Sequence, residues 1–397
     1  MLNRRHLLKL FAGWPLCGGL LGNRASAAKL QPFHRRDYFA ELGVRPVING
    51  QGVVTVLTGS LLPPEVVEAM NSVSHQFVNL VELNEKAGAR IAELLRCEDA
   101  LVSAGAASAI TLATAAAITY RDPDKIRLMP NLPGPSPEVI LPRGHLVYPQ
   151  QMLVCGVKLV EVGDATEMER TLNERTVMAF YLNKAHPKGI DREEFLRLAR
   201  KRGVPAFIDC ASDVPPVENL FKYTEMGFDL VTFSGGKAIC GPQSAGLLFG
   251  RKDLIQAARL NHSPNHSVGR GMKVNKEEII GMVVALELYL RKDHAKEWRE
   301  WEDGVERIAA GVGSLPSVVT ERYVPKIANQ IPHLRISWDE RVLKLTPAEA
   351  QQRLHNGHPA IEVLGGRTDI AYNMYMLRPT EVGIVTRRTR EVLSASV

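Results

Sequence analysis

Six short apolar runs dominate the middle of the chain: "EVILP" (138–142), "KLVEV" (158–162), "VMAFYL" (177–182), "PAFIDC" (205–210), "LVTFS" (230–234) and "AGLLFG" (245–250). Most lack the polar–apolar alternation of a strand with one wet face, so they read as strands buried on both sides. Helical patterns such as "DREEFLRLARKRG" and "VENLFKYTEMG" separate several of them. Strands alternating with helices predict an α/β domain built on a mainly parallel sheet. The Pro-rich "LMPNLPGPSPEV" (128–139) reads as a loop within that domain, because the strand pattern continues on both sides of it.

In such a sheet, ligands bind beyond the carboxyl ends of the strands. The residues closing the runs are therefore the first candidates. "PAFIDCASDVPP" puts Asp209 at one strand end, and "LVTFSGGK" puts Ser234 and Lys237 at another. "ALVSAGAASAITLATAAAITY" (100–120) reads as a strand, a turn at Gly105 and a small-residue helix, so Gly105 and Ala106 open a helix whose first N–H groups can hold an anion. "LPRGH" leaves His145 beyond a further strand. A lysine, an acid, an anion cradle and a flat ring at one sheet edge meet the needs of pyridoxal phosphate. The lysine would bond its aldehyde, Asp209 would pair with its ring nitrogen, and His145 would stack on the ring.

Other readings of these residues are weaker. Gly-Gly-Lys after a strand suggests a nucleotide-binding loop, but Ala238 follows the lysine where Ser or Thr is required, and the upstream glycine is missing. His262 and His266 are four apart, yet Pro264 stands between them and no third ligand is evident, so no metal site is predicted. None of the five cysteines forms a CxxC pair, which removes zinc-knuckle and thioredoxin-type readings.

The N-terminus follows a separate pattern. "MLNRRHLLKLFAGWPLCGGLLGNRASAAKL" has a basic start, an apolar middle and the small-residue stretch Ala25-Ser26-Ala27, which predicts an export signal cut at Ala27/Ala28. Arg4-Arg5 makes it resemble a twin-arginine signal, and the expected location is periplasmic or exported. The full chain has 49 basic and 43 acidic residues, but four of the basic ones and no acid fall within positions 1–28. A processed chain is thus nearly neutral, which argues against a nucleic-acid partner. No membrane span is predicted in the mature chain.

The motifs together resemble a known family. "GVRPVINGQGVVT" (43–55), "PRGH" (142–145), "IDCASDVPPVENL" (208–220), "DLVTFSGGKAICGPQSAGLLFGRKDLI" (229–255), "VGRGMKVNKEEIIGMVVALE" (268–287) and "MLRPTEVGIVTRRTREVL" (376–393) are similar to fold-type-I pyridoxal-phosphate enzymes. The branch resembled contains selenocysteine synthase (L-seryl-tRNA selenium transferase) and D-glucosaminate-6-phosphate ammonia-lyase. The resemblance implies Lys237 as the cofactor lysine, Asp209 as the pyridinium partner, and Ser234, Gly105 and Ala106 as phosphate ligands. It also implies Arg270 and Lys273 as ligands for an anionic substrate group, and at least a homodimer.

The implied reaction is elimination or β-replacement on a small amino acid or amino-sugar acid. Selenium transfer to seryl-tRNA and a non-catalytic binding role are the alternatives. The expected organisation is a signal at 1–27, a segment at 28–62 joining the small domain, and a large cofactor domain at 63–270. A long helix and a small α+β domain are expected at 271–397.

Overall fold

The computed structural model describes residues 36–395, Val147 excepted, so the signal and its cut site lie outside the described residues. The described residues before Val47 and those from Val47 onward form separate bodies. In the first, a short helix, Tyr38–Leu42, is capped by the Asp37 carboxylate, which accepts from Ala40 N at 3.0 Å.

Among the described residues, the second body holds twelve strands in two sheets. They are β1 (Val47–Gly50), β2 (Asp99–Ser103), β3 (Glu138–Pro142), β4 (Lys158–Val162), β5 (Thr176–Leu182), β6 (Ala206–Asp209), β7 (Leu230–Ser234), β8 (Gly246–Gly250), β9 (Val319–Tyr323), β10 (His333–Ser337), β11 (Ala360–Gly365) and β12 (Asp369–Asn373). The large sheet has the order β2-β8-β7-β6-β5-β3-β4. Its strands run parallel from β7 to β4, while β8 is antiparallel to both its neighbours. The fold is therefore an α/β sandwich with a mainly parallel sheet, as the alternating pattern predicts.

Register explains why the strand ends meet. Leu182 pairs with Asp209, Asp209 with Thr232, Ser234 with Gly246, and Gly246 with Ser103. Because β8 runs backwards, the carboxyl ends of β2, β7, β6 and β5 all reach the same edge. The core strands are apolar on both faces, with Phe180, Phe207, Phe233 and Phe249 fully buried. Each such ring stabilises the fold by about 2–3 kcal/mol relative to exposure.

The helix Gly105–Thr119 is buried along nearly its whole length. Ala109, Ala113 and Ala116 let it approach the sheet closely. Thr114 Oγ1 donates within the helix to Ile110 O at 2.8 Å and Thr119 Oγ1 to Ala115 O at 2.9 Å, while Thr111 Oγ1 donates to Gln151 O at 2.7 Å. The second sheet, β1-β11-β12-β10-β9, is antiparallel except for the β1–β11 pair.

The long helix expected after Arg270 is in fact two, Lys276–Arg291 and His294–Val312. Lys292 turns extended, with ψ 143°, and Asp293 caps the second helix by accepting from Lys296 N at 2.8 Å. Among the described residues, no helix is long and apolar enough to cross a membrane.

Candidate active site

Lys237 sits on a cross-braced turn just beyond β7. Gly241 N donates to Gly235 O at 2.8 Å, Ser60 N to Gly236 O at 3.0 Å and Cys240 N to Lys237 O at 2.9 Å. Glycine is required at the two positions before the lysine by proximity rather than by dihedral angle. A Cβ on Gly235 would lie 2.8 Å from Ala245 O, and one on Gly236 would strike the Gln243 backbone.

Asp209 closes β6, the strand beside β7. Its carboxyl is buried and Oδ1 accepts from Ala211 N at 2.9 Å; Oδ2 takes no hydrogen bond among the described residues. Burial pushes the Asp209 pKa up, against the pull of the Ala211 N–H and the Lys237 charge. Burial also pushes Lys237 down, opposed by Asp209 and Asp213. Both groups are thus driven toward neutrality by their surroundings and held toward charge by each other. A cation brought to Asp209 would favour its carboxylate form.

Sequence reasoning missed the next layer. Asp213 is 2% exposed, and its Oδ2 accepts from Asn183 Nδ2 at 2.8 Å while Oδ1 takes no hydrogen bond of ordinary geometry among the described residues. Asn183 also donates to the Tyr223 hydroxyl at 2.8 Å and accepts from Arg192 at 2.8 Å. Burial is the main force lifting the Asp213 pKa to about 6. Lys184, exposed just past β5, lies close enough to depress Lys237 further. The usable clue was position alone, since Asn183 and Lys184 directly follow a buried strand and Asp213 follows Asp209 by one turn.

The anion cradle lies on the other side of β8. Ala104 precedes the helix Gly105–Thr119 with no side-chain cap, leaving its first N–H groups open to a ligand. Gly105 has φ 81°, and Ser103 Oγ donates to its carbonyl at 3.0 Å. Gly246 packs beneath this turn, where a Cβ would lie 2.5 Å from Gly105 C and 2.6 Å from Ala106 N. Ser234 pairs with the same Gly246 from β7, so Ser234 and the Gly105–Ala106 turn flank one narrow floor.

His145 is placed differently from expectation. Its ring is wholly buried, edge-on to Tyr181 with centroids 4.3 Å apart. Leu182 N donates to Nδ1 at 3.3 Å and Nε2 donates to Lys188 O at 2.9 Å. Burial lowers its pKa to about 4. It presents no open face for stacking and instead ties the loops after β3 and β5 together.

Arg270 and Lys273 are exposed on the segment between the helices Lys252–Asn261 and Lys276–Arg291. No hydrogen bond or ion pair among the described residues joins them to Lys237 or Asp209. His262 is buried in a bridge with Gly269, and no set of three metal-ligating side chains occurs among the described residues.

The donor set fits pyridoxal phosphate. An uncapped helix start over a glycine floor suits a phosphate, a buried carboxyl with a spare oxygen suits a protonated ring nitrogen, and a braced amine stands beside both. With a parallel-rich sheet carrying these groups at its carboxyl edge, the chain is a fold-type-I pyridoxal-phosphate enzyme by architecture. Residues 47–299 match the L-seryl-tRNA selenium transferase (SelA) family, and the chain belongs to that family.

Proteins to which the chain is similar carry different activities. The chain is 27% identical to D-glucosaminate-6-phosphate ammonia lyase of Salmonella typhimurium, over 90% of this chain and 98% of that one. It is 28% identical to 5'-C-glycyluridine monooxygenase-decarboxylase of a Streptomyces species, over 83% and 84%. Against L-seryl-tRNA(Sec) selenium transferase of Carboxydothermus hydrogenoformans it is 28% identical over 63% of this chain, but spans only 57% of that protein. The solved structure of a D-glucosaminate-6-phosphate ammonia-lyase superposes with a TM-score of 0.79 at 26% identity, covering 91% of this chain and 99% of the other.

Proposed function

We propose that this protein is a pyridoxal-phosphate-dependent lyase acting by elimination, or by β-replacement, on a small amino acid or amino-sugar acid. The observation that carries this reading is the buried Asp209–Lys237 pair beside the uncapped Gly105 helix start. The ammonia-lyase relative, matched over nearly its whole length, supports a lyase. The selenium transferase of Carboxydothermus hydrogenoformans is matched over 57% of its length and that of Aquifex aeolicus over 85%. Both shares are less than the 98% of the ammonia lyase, and this fuller match supports a free small substrate over a tRNA-borne one.

When bound, the cofactor supplies an electron sink that makes an amino acid's α-proton acidic. The Gly105–Ala106 turn and Ser234 would hold its phosphate, Asp209 its ring nitrogen, and Lys237 its aldehyde carbon. Lys237 Nζ, whose pKa burial lowers, would take the α-proton as general base. Its braced turn keeps the amine aimed at that proton, and the buried Asp213 offsets the charge the lysine gains. Lys184, Arg270 and Lys273 are the cations we assign to an anionic substrate group.

We also propose a homodimer, supported by the exposed apolar side chains of Val67, Phe77, Val78 and Val81. Export is proposed from Arg4-Arg5 and Ala25-Ser26-Ala27; a periplasmic fraction lacking the processed mass would oppose it. The reaction is tested by incubating cofactor-loaded protein with D-glucosaminate 6-phosphate and a panel of β-substituted amino acids. Release of ammonia with a 2-keto acid is expected from at least one. Salt-sensitive seryl-tRNA binding without such release would favour the transferase.

A further inference from the structure

The turn carrying Lys237 is tied down carbonyl by carbonyl. Gly235 O, Gly236 O and Lys237 O all accept from backbone N–H groups. Ala238 O, directly after the lysine, accepts instead from a side chain: the Tyr375 hydroxyl donates to it at 2.6 Å. Tyr375 comes from the other sheet, in the short turn Met374–Met376 after β12.

Tyr375 is itself held firmly. Its N–H donates to Asn373 Oδ1 at 2.9 Å, its ring centroid lies 5.2 Å from that of Trp301, and the residue is 8% exposed. Beyond it lies a cavity of about 270 Å³, lined by Trp301, Met376, Leu377 and Glu297 among others. Tyr375, which lines that cavity, therefore stands between it and the peptide that aims the reactive amine.

We propose that Tyr375 is a positioning residue for Lys237, through which the five-stranded sheet sets the lysine turn and the depth of its amine. A shift of that sheet would pull Ala238 and carry Lys237 with it. The inference rests on the reading of Lys237 as the reactive lysine, but the titration of its amine can be followed without cofactor. The groups facing that amine are Asp209 at the end of β6, Asp213 in the following loop and Lys184 after β5. Loosening the turn would let the amine reach water, which relieves burial and raises its pKa.

The test uses cofactor-free full-length protein. Lys237 is labelled with an amine-reactive anhydride across a pH series and quantified by peptide mass spectrometry, in wild type, Tyr375→Phe and Tyr372→Phe. Tyr372 also makes a buried hydroxyl contact, with Thr389 Oγ1 at 2.7 Å, and no hydrogen bond among the described residues joins it to the lysine turn, so it controls for simple loss of a buried hydrogen bond. Tyr375→Phe should raise the labelling midpoint by about half a pH unit or more and weaken cofactor binding about threefold or more, while Tyr372→Phe leaves both unchanged. An unchanged midpoint in Tyr375→Phe, or an equal shift in Tyr372→Phe, would overturn the proposal. Failure of wild type to bind cofactor would count against the function above, and the labelling midpoints would still decide the role of Tyr375.

Discussion

Asp209 closes β6 and Lys237 lies three residues past the neighbouring β7, close enough that each is pushed toward its neutral form by burial while the other's charge pulls it back. Such a pair is poorly satisfied by itself, because two buried ionisable groups rarely recover the hydration they lose. A ligand carrying a cation for the acid and an electrophile for the amine would relieve both. This is why the pair reads as a cofactor site and not as a structural ion pair.

Replacing Asp209 with Asn keeps an acceptor for the Ala211 N–H but removes the charge. Cofactor should still attach to Lys237, with turnover lowered by about a hundredfold or more. Steady-state rates on the substrate found by screening decide this; turnover near that of wild type would remove Asp209 from the chemistry.

Gly246 lies beneath the Gly105–Ala106 turn with no room for a methyl group. Gly246→Ala should cost about 1–3 kcal/mol of stability through overpacking and weaken pyridoxal phosphate binding markedly. Gly271, around which space is open, provides the control: Gly271→Ala should change neither. Fluorescence titration with cofactor and thermal melts of both variants test the cradle.

Asp213 has its pKa raised by burial to about 6, above the ordinary carboxylate range. A raised carboxyl pKa means the folded state prefers the protonated form. The associated stability is present below about pH 4 and is lost as pH rises through about 6. Asp213→Asn should therefore be more stable than wild type at pH 7.5, by about 1–3 kcal/mol, with the difference closing toward pH 4. Melting temperatures across that range check the sign, and a gap that widens on acidification would refute the assignment.

The parts of this site that were legible in the sequence are those encoded locally. Buried runs ending in Asp209 and in Ser234, with Lys237 shortly after, announce themselves because the strand and its functional end share one segment. The parts that stayed hidden depend on contacts distant in sequence. His145 reads as an available ring until Leu182 N and Lys188 O, from another loop, are seen to occupy its nitrogens. Tyr375 meets Ala238 across 137 positions, and no local pattern marks either residue. β1 pairs with β11 from the opposite end of the chain, while β9 ("VTERY") is too exposed and charged to stand out as a strand. The break at Lys292–Asp293 was readable in principle, since Asp before a helical run is a cap, but the apolar periodicity on either side concealed it.

The central claim is that Lys237 is the residue that bonds the cofactor. Its most direct test is the visible spectrum of the protein reconstituted with pyridoxal phosphate, before and after borohydride, followed by peptide mass spectrometry of wild type and Lys237→Ala. The account predicts a visible band that borohydride bleaches, leaving the cofactor fixed to the peptide containing Lys237 in wild type and nowhere in the variant. No band in wild type, or cofactor fixed to another lysine, would contradict it.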